Sequence, residues 1–212
     1  MGFTMDPLAI PPILFALCFH EFSHAYVAYR LGDPTAAYRG RLTLNPLRHL
    51  DPIGTLLLFF VGFGWAKPVP VDATNLKEPR RDMMWIASAG PLSNLAVALA
   101  SGLLLRLLFP LLSGGGSLGV SVFKMLEYSL WINLVLAFFN LIPLRPLDGS
   151  SVLRGVLPLQ QAYSWSRIEG YGPMILIALI GSQYLFGFSL LWTIIGLPVR
   201  MFSSLFTLGL LG

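Results

Sequence analysis

The stretch PLAIPPILFALCFHEFSHAYVAY, residues 7–29, decides the fold. It is long enough to cross a bilayer, since about 20 apolar residues span the hydrocarbon core. Its only histidines and charged side chains are His20, Glu21 and His24. Ionisable residues inside a membrane span are energetically costly and by default functional. The stretch therefore predicts a membrane-spanning helix that carries a functional site.

The composition of the whole chain also indicates a membrane protein. Of the 212 residues, 55% are apolar and 11% are charged, whereas soluble domains carry about 25% charged residues. So few charges exclude an ordinary soluble fold or a disordered chain, and a single cysteine excludes a disulfide scaffold. The net charge of +4 accompanies no basic helix, so we expect no nucleic-acid partner and interpret it as orientation charge.

Charge-poor windows place the membrane spans and predict an all-α polytopic membrane protein with about five to six transmembrane helices. We expect one domain over residues 1–212, embedded in the lipid bilayer. The C-terminal stretch is long enough for two helices, with a break near Gly187 or Gly196. The predicted spans cover residues 7–30, 83–112 and 121–144, and the C-terminal helices cover residues 170–210.

The segment 51–71 is apolar but short, and basic residues lie on both sides of it. If it crossed the membrane, those basic residues would be divided between the two faces, against the positive-inside rule. We therefore predict a membrane re-entrant loop, partly extended, that enters and returns on one side. This topology keeps most of the 14 Lys and Arg residues in the cytoplasm.

The first span contains the pattern H-E-x-x-H as His20, Glu21 and His24. Residues four apart share one face of a helix, so two imidazoles at this spacing can bind one metal ion. Glu21 is offset and can act as general base on a metal-activated water. The alternative is a chance run of polar residues that pack within a helix bundle.

A catalytic zinc site usually has three protein ligands, so the two histidines need a partner. Asp148 follows the third span, next to helix-breaking prolines and the flexible Gly149, which allows a carboxylate to point back into the bundle. Asp148 and Gly149 can also form a simple turn, and His49 is a rival ligand, although we expect it to be exposed. Glu127 lies too near the outer end of its span. The remaining candidates lie in the basic segment, where we expect solvated carboxylates: Asp33, Asp51, Asp72, Glu78 and Asp82.

Together these residues resemble the site-2 protease family of intramembrane zinc metalloproteases. HEFSH at residues 20–24 matches the metal-binding motif, and NLIPLRPLDG at residues 140–149 matches the family's second signature. GPLSN at residues 90–94 matches a third element, and the strip at residues 65–71 resembles the family's membrane re-entrant β-loop. The chain is similar to a minimal form of the family, without PDZ or CBS domains.

The resemblance implies a role for each matching residue. His20, His24 and Asp148 would bind one Zn²⁺ per chain, and Glu21 would be the catalytic acid and base. Asn94 and Asn140 match asparagines near the active site that help to hold substrate or an oxyanion. The alternatives are interhelical hydrogen bonding for Asn94 and capping of the broken helix for Asn140. Arg145 departs from the family pattern, where apolar residues are commoner, and we expect it to snorkel to the interface.

The resemblance also implies the function: hydrolysis of peptide bonds within or near transmembrane segments of membrane proteins. The enzyme would be a multi-pass protein of the cell membrane with its active site toward the cytoplasm. A locally unwound substrate could pair with the strip through Ala66, Lys67, Val69 and Val71, unless the strip is a plain proline-rich linker. The alternative function is a non-catalytic zinc-binding membrane protein, a transporter or a scaffold. The sequence contains no internal repeat that would favour a transporter, and a pseudoenzyme would typically lack Glu21.

Overall fold

The computed structural model describes residues 6–61 and 64–211, and helices form almost all of its regular structure. No β-strand occurs within these two ranges, which agrees with the predicted all-α class. The α-helices, in chain order, are α1 Ile10–Arg30, α2 Thr35–Tyr38, α3 Pro52–Val61, α4 Pro79–Ser113, α5 Gly116–Asn140, α6 Asp148–Val156, α7 Leu159–Ile168, α8 Gly172–Phe186 and α9 Leu190–Phe206.

Three helical segments in the described part of the chain are long and apolar enough to cross a membrane. They are Pro7–Arg30, α4 and α5. A fourth crossing is available if Leu159–Phe186 and α9, which meet at a bend of 101°, form one broken span. The chain is thus an integral, polytopic membrane protein with three to four candidate spans. The predicted count of five to six spans is not confirmed.

The helix bundle is built around α4, which packs along both α1 and α5. Its core contains Leu105 from α4, Leu130 and Leu134 from α5, and Val199 from α9, all with no exposed surface. Small residues allow helix backbones in membranes to approach closely. Accordingly, a Cβ added at Gly102 would lie 2.8 Å from the carbonyl oxygen of Phe206, so the end of α9 rests directly on α4.

The third span ends earlier than the sequence indicated, at Asn140 and not near residue 144. Pro143 and Pro146 follow, and prolines disfavour helix at the residues that precede them. The chain then turns and enters α6, whose first residue is Asp148. A Cβ at Gly149 would lie 2.3 Å from the carbonyl oxygen of Leu141, so a glycine is needed for α6 to start against the end of α5.

The break between the C-terminal helices lies at Gly187, one of the two predicted positions. Gly187 follows α8 with φ +75°, the left-handed conformation that glycine adopts without strain. The other predicted position, Gly196, lies inside α9.

The segment 51–71 is more helical than predicted, because α3 forms its first half. Leu50 and Ala66 nevertheless form an antiparallel bridge, and the Lys67 backbone N–H donates to the His49 carbonyl over 2.7 Å. The chain therefore returns after α3 to the point that it left at Leu50. A single bridge within the described residues does not make a β-loop, and that finer prediction is not confirmed.

The carboxylate of Asp33 is fully buried, so the prediction that it is solvated was wrong; Asp82 is also buried. Asp33 accepts hydrogen bonds from the Asp72 N–H at 2.8 Å, the Asn75 side-chain amide at 2.8 Å and the Thr35 N–H at 3.0 Å. Burial raises the pKa of Asp33. The hydrogen bond from the Thr35 hydroxyl, together with those from Asn75 and from the Asp72 and Thr35 N–H groups, lowers the pKa to a net value below its usual range. They attach the chain after α1 to the segment that follows the 65–71 strip.

Candidate metal centre

Helix α1 and the start of α6 bring His20, His24 and Asp148 together. The two Nε2 atoms of His20 and His24 are 3.0 Å apart. Asp148 Oδ2 lies 3.2 Å from His20 Nε2 and 3.3 Å from His24 Nε2. Both histidines are buried, and Asp148 is half-buried. In the described part of the chain this is the one group of three His, Cys, Asp or Glu side chains placed to bind a metal ion.

The other ring nitrogen of each histidine is held by an oxygen atom from α4. His20 Nδ1 lies 2.6 Å from the side-chain oxygen of Asn94, and His24 Nδ1 lies 2.6 Å from the backbone carbonyl of Ile86. Because both oxygens only accept hydrogen bonds, each Nδ1 is the protonated nitrogen. The Nε2 lone pairs therefore point into the centre, which is the arrangement that partners of metal-binding histidines usually enforce.

The centre fits a divalent cation in four respects. Asp148 Oδ2 is buried and has no hydrogen-bond donor, so a buried negative charge faces two lone pairs without compensation. The separations of 3.0 to 3.3 Å are close to the roughly 3.3 Å expected between tetrahedral ligands at zinc–ligand distances of 2.0–2.1 Å. A Cβ at Gly90 would lie 2.4 Å from His24 Nε2, so glycine leaves room beside the ligands. Two imidazoles and one carboxylate are a typical ligand set of catalytic zinc.

Glu21 lies beside the centre and is held by the extended strip. Its Oε2 accepts a hydrogen bond from the Val69 backbone N–H over 3.1 Å. Glu21 is not one of the three side chains whose ligand atoms converge. Its bond to Val69 shows that residues 65–71 pass next to the site. This contact places the backbone of the strip next to the proposed chemistry.

The hydrogen bonds of the strip qualify the predicted pairing with substrate. The Lys67 N–H donates to the His49 carbonyl, and the Lys67 carbonyl accepts from the Arg41 guanidinium. The Val69 N–H donates to the carboxylate of Glu21. Ala66 is bridged to Leu50. A substrate that pairs with Val69 would therefore have to displace Glu21. The edge-strand role of Ala66, Lys67, Val69 and Val71 stays a prediction.

Asn94 acts on the metal centre through His20, and a second asparagine supports it. The Asn94 side-chain amide donates to Asn133 Oδ1 at 2.7 Å and to the Ala16 carbonyl at 3.3 Å. Both asparagines are fully buried. From α4, Asn94 makes hydrogen bonds to α1 and α5, as expected if it holds helices together. Asn133 was missed in the sequence, although an amide in the middle of an apolar span is itself a signal of a buried contact.

The other singled-out residues lie outside the cluster. Asn140, the last residue of α5, donates from Nδ2 to the Leu136 carbonyl over 3.0 Å, and its role in substrate binding stays a prediction. His49 is buried and not exposed as expected, and its Nε2 donates to the Thr43 carbonyl over 2.7 Å. Arg145 forms an ion pair with Glu169, with 3.2 Å between Nε and Oε2.

Comparison with known proteins identifies the family. The profile of "Peptidase family M50" matches residues 111–181, which include Asp148. "Putative zinc metalloprotease YwhC" of Bacillus subtilis is 37% identical over 212 residues, covering 96% of this chain and 94% of the relative. "Putative zinc metalloprotease Rip2" of Mycobacterium tuberculosis is 34% identical over 166 residues, covering 72% of this chain and 61% of the relative. No solved structure matches the chain significantly. The chain belongs to peptidase family M50, and its resemblance to the site-2 proteases is confirmed.

Proposed function

We propose that this protein is an intramembrane zinc metalloprotease that hydrolyses peptide bonds within or near transmembrane segments of membrane proteins. The observation that carries the proposal is the convergence of His20, His24 and the uncompensated Oδ2 of Asp148 between membrane helices. The names of the relatives as zinc metalloproteases support the choice of metal. One Zn²⁺ per chain would be bound by these three side chains.

The protein supplies orientation and proton transfer in this reaction. When bound, zinc provides Lewis acidity and makes water nucleophilic near neutral pH. Asn94 and the Ile86 carbonyl hold the imidazoles so that their Nε2 atoms face the metal. Glu21 takes the proton from the attacking water and delivers it to the leaving amine. The Val69 N–H fixes the carboxylate of Glu21 until substrate arrives.

The proposed topology places the active site toward the cytoplasmic side of the cell membrane. The ligands on α1 lie in the last half of the span that ends at Arg30. The basic segment that follows, including Arg41 and Lys67, stays on that side because the chain returns on itself between Leu50 and Ala66. Substrate helices would enter from the bilayer and unwind beside the strip.

A cleavage assay with a model transmembrane substrate tests the proposal. Wild-type protein reconstituted in liposomes should cleave the substrate, and Glu21→Gln should bind zinc without cleaving it. Glu127→Gln is the matched control, because it makes the same chemical change at another glutamate. Glu127 lies in α5, about 20 Å along the helix from the end of α5 at Asn140. Unchanged cleavage by Glu21→Gln would refute the assigned role. Zinc binding by a wild-type protein that cleaves no substrate would favour the non-catalytic alternative.

A further inference from the structure

Glu169 is a buried carboxylate that the proposed chemistry does not use. Its side chain is only 4% exposed, and it lies in the short turn Glu169–Tyr171 between α7 and α8. Ser150 Oγ donates to Glu169 Oε1 at 2.5 Å. Arg154 Nε lies 3.2 Å from the same oxygen, and Arg145 Nε lies 3.2 Å from Oε2.

The three partners of Glu169 lie on both sides of Asp148 in the chain. Arg145 precedes Asp148, in the turn that leads to α6, whereas Ser150 and Arg154 lie within α6 itself. One carboxylate therefore attaches both the approach to α6 and the body of α6 to the same point. Because Asp148 is the first residue of α6, the direction of its side chain follows the position of this helix.

A close backbone contact reinforces this attachment. A Cβ at Gly172 would lie 2.4 Å from the Arg145 carbonyl oxygen and 2.8 Å from the Arg145 nitrogen. The chain around Glu169 is therefore pressed directly against the turn before Asp148. At its other end, α6 is held by the Arg80 guanidinium, which donates to the Arg154 carbonyl over 2.9 Å and also to the Leu157 carbonyl.

Such attachments are needed because α6 has only nine residues. Helices shorter than about 12–15 residues are marginal by themselves, and a metal ligand has to be held within about 0.5 Å of its productive position. We propose that Glu169 is a positioning residue for Asp148: it fixes the start of α6 so that Asp148 Oδ2 meets the two imidazoles. The inference rests on the proposed function, in which Asp148 is a zinc ligand.

Glu169→Gln tests the inference, because it keeps the size of the side chain and removes its charge. The full-length protein in detergent is titrated with zinc against a competing chelator. We expect the zinc dissociation constant to rise about 10- to 100-fold, the usual effect of losing a partner that orients a metal ligand. Glu127→Gln, the same change elsewhere, should leave the dissociation constant unchanged.

A spectroscopic readout separates positioning from general destabilisation. The visible spectrum of the Co²⁺-loaded protein reports the ligand set, and Asp148→Ala provides the reference for loss of the carboxylate. Glu169→Gln should shift the wild-type spectrum toward that of Asp148→Ala. A wild-type dissociation constant or a wild-type cobalt spectrum for Glu169→Gln would overturn the inference.

Ser150→Ala keeps the inference testable if Glu169→Gln does not fold. It removes only the 2.5 Å hydrogen bond and should cause a smaller change of the same kind in both readouts. No change in either readout would overturn the inference, and the proposed zinc site would stand. If zinc affinity does not depend on His20 or Asp148, the proposed function and this inference fail together.

Discussion

Gly90→Ala is the sharpest perturbation of the metal centre, because it adds one methyl group beside the ligands. The new carbon would lie 2.4 Å from His24 Nε2 and 2.5 Å from both Nε2 and Cε1 of His20. Favourable contacts between such atoms lie at about 3.5–4.0 Å. Each imidazole would therefore have to move by about 1 Å, away from the space in which it meets the metal.

The size of the effect follows from how firmly the rings are held. Each ring is attached at Nδ1 over 2.6 Å, so a shift of about 1 Å also weakens these hydrogen bonds, each worth about 1 kcal/mol. Overpacking of this kind costs about 1–3 kcal/mol of folding stability. A displacement of about 1 Å in a catalytic group typically lowers the rate about 100-fold, which corresponds to about 2.8 kcal/mol. We expect a loss of cleavage of at least this size, together with weakened zinc binding.

Gly181→Ala is the matched control for this substitution. Gly181 lies within α8, and a Cβ there would have no heavy atom within 4 Å. Replacing glycine by alanine inside a helix stabilises it by about 0.5–1 kcal/mol. The control should therefore bind zinc and cleave substrate like wild type, with an equal or higher melting temperature.

Elemental analysis of purified protein, chelator competition and a substrate-cleavage assay measure these effects. Thermal unfolding of the metal-free protein separates loss of the site from loss of the fold. If Gly90→Ala binds zinc with wild-type affinity and cleaves at the wild-type rate, the metal does not lie between the imidazoles and Asp148. The geometric argument for the site would then be refuted.

Three further predictions test the ligand, the topology and the strip. Asp148→Ala should lower the zinc content of the purified protein, because it removes one of three ligands; undiminished zinc would contradict the assignment. In a cysteine-free background, cysteines at Thr43 and Asn75 should both react with impermeant reagents from the cytoplasmic face, and labelling from opposite faces would mean that the segment between them spans. Val69→Pro removes the N–H that holds Glu21 and should strongly lower cleavage while zinc content stays unchanged, whereas Val69→Ala keeps the N–H and should behave like wild type. Equal cleavage by the two variants would make the strip a linker.

The membrane class and the pairing of the two histidines could be predicted from the sequence, because both depend on local pattern. Hydropathy over about 20 residues indicates a span regardless of what packs against it. The spacing of His20 and His24 places them on one helix face whatever the rest of the fold does. Gly187 was one of the two predicted break positions for the same reason, since a break needs only the backbone freedom of one glycine.

The remaining features of the site depend on contacts between distant parts of the chain, which only the tertiary structure decides. The sequence favoured Asp148 as the third ligand over His49, but only the turn after α5 brings its Oδ2 within 3.2 Å of His20 Nε2. The partners Asn94 and Asn133 carry ordinary amides. The sequence around each asparagine does not determine which imidazole ring or which helix its amide contacts. Asp33 was expected in solvent because it lies in the basic segment, but donors from a segment about 40 residues away bind its carboxylate. Hydropathy and residue spacing are properties of a single helix. The burial and the hydrogen bonds of a side chain depend on which residues of the other helices pack next to it.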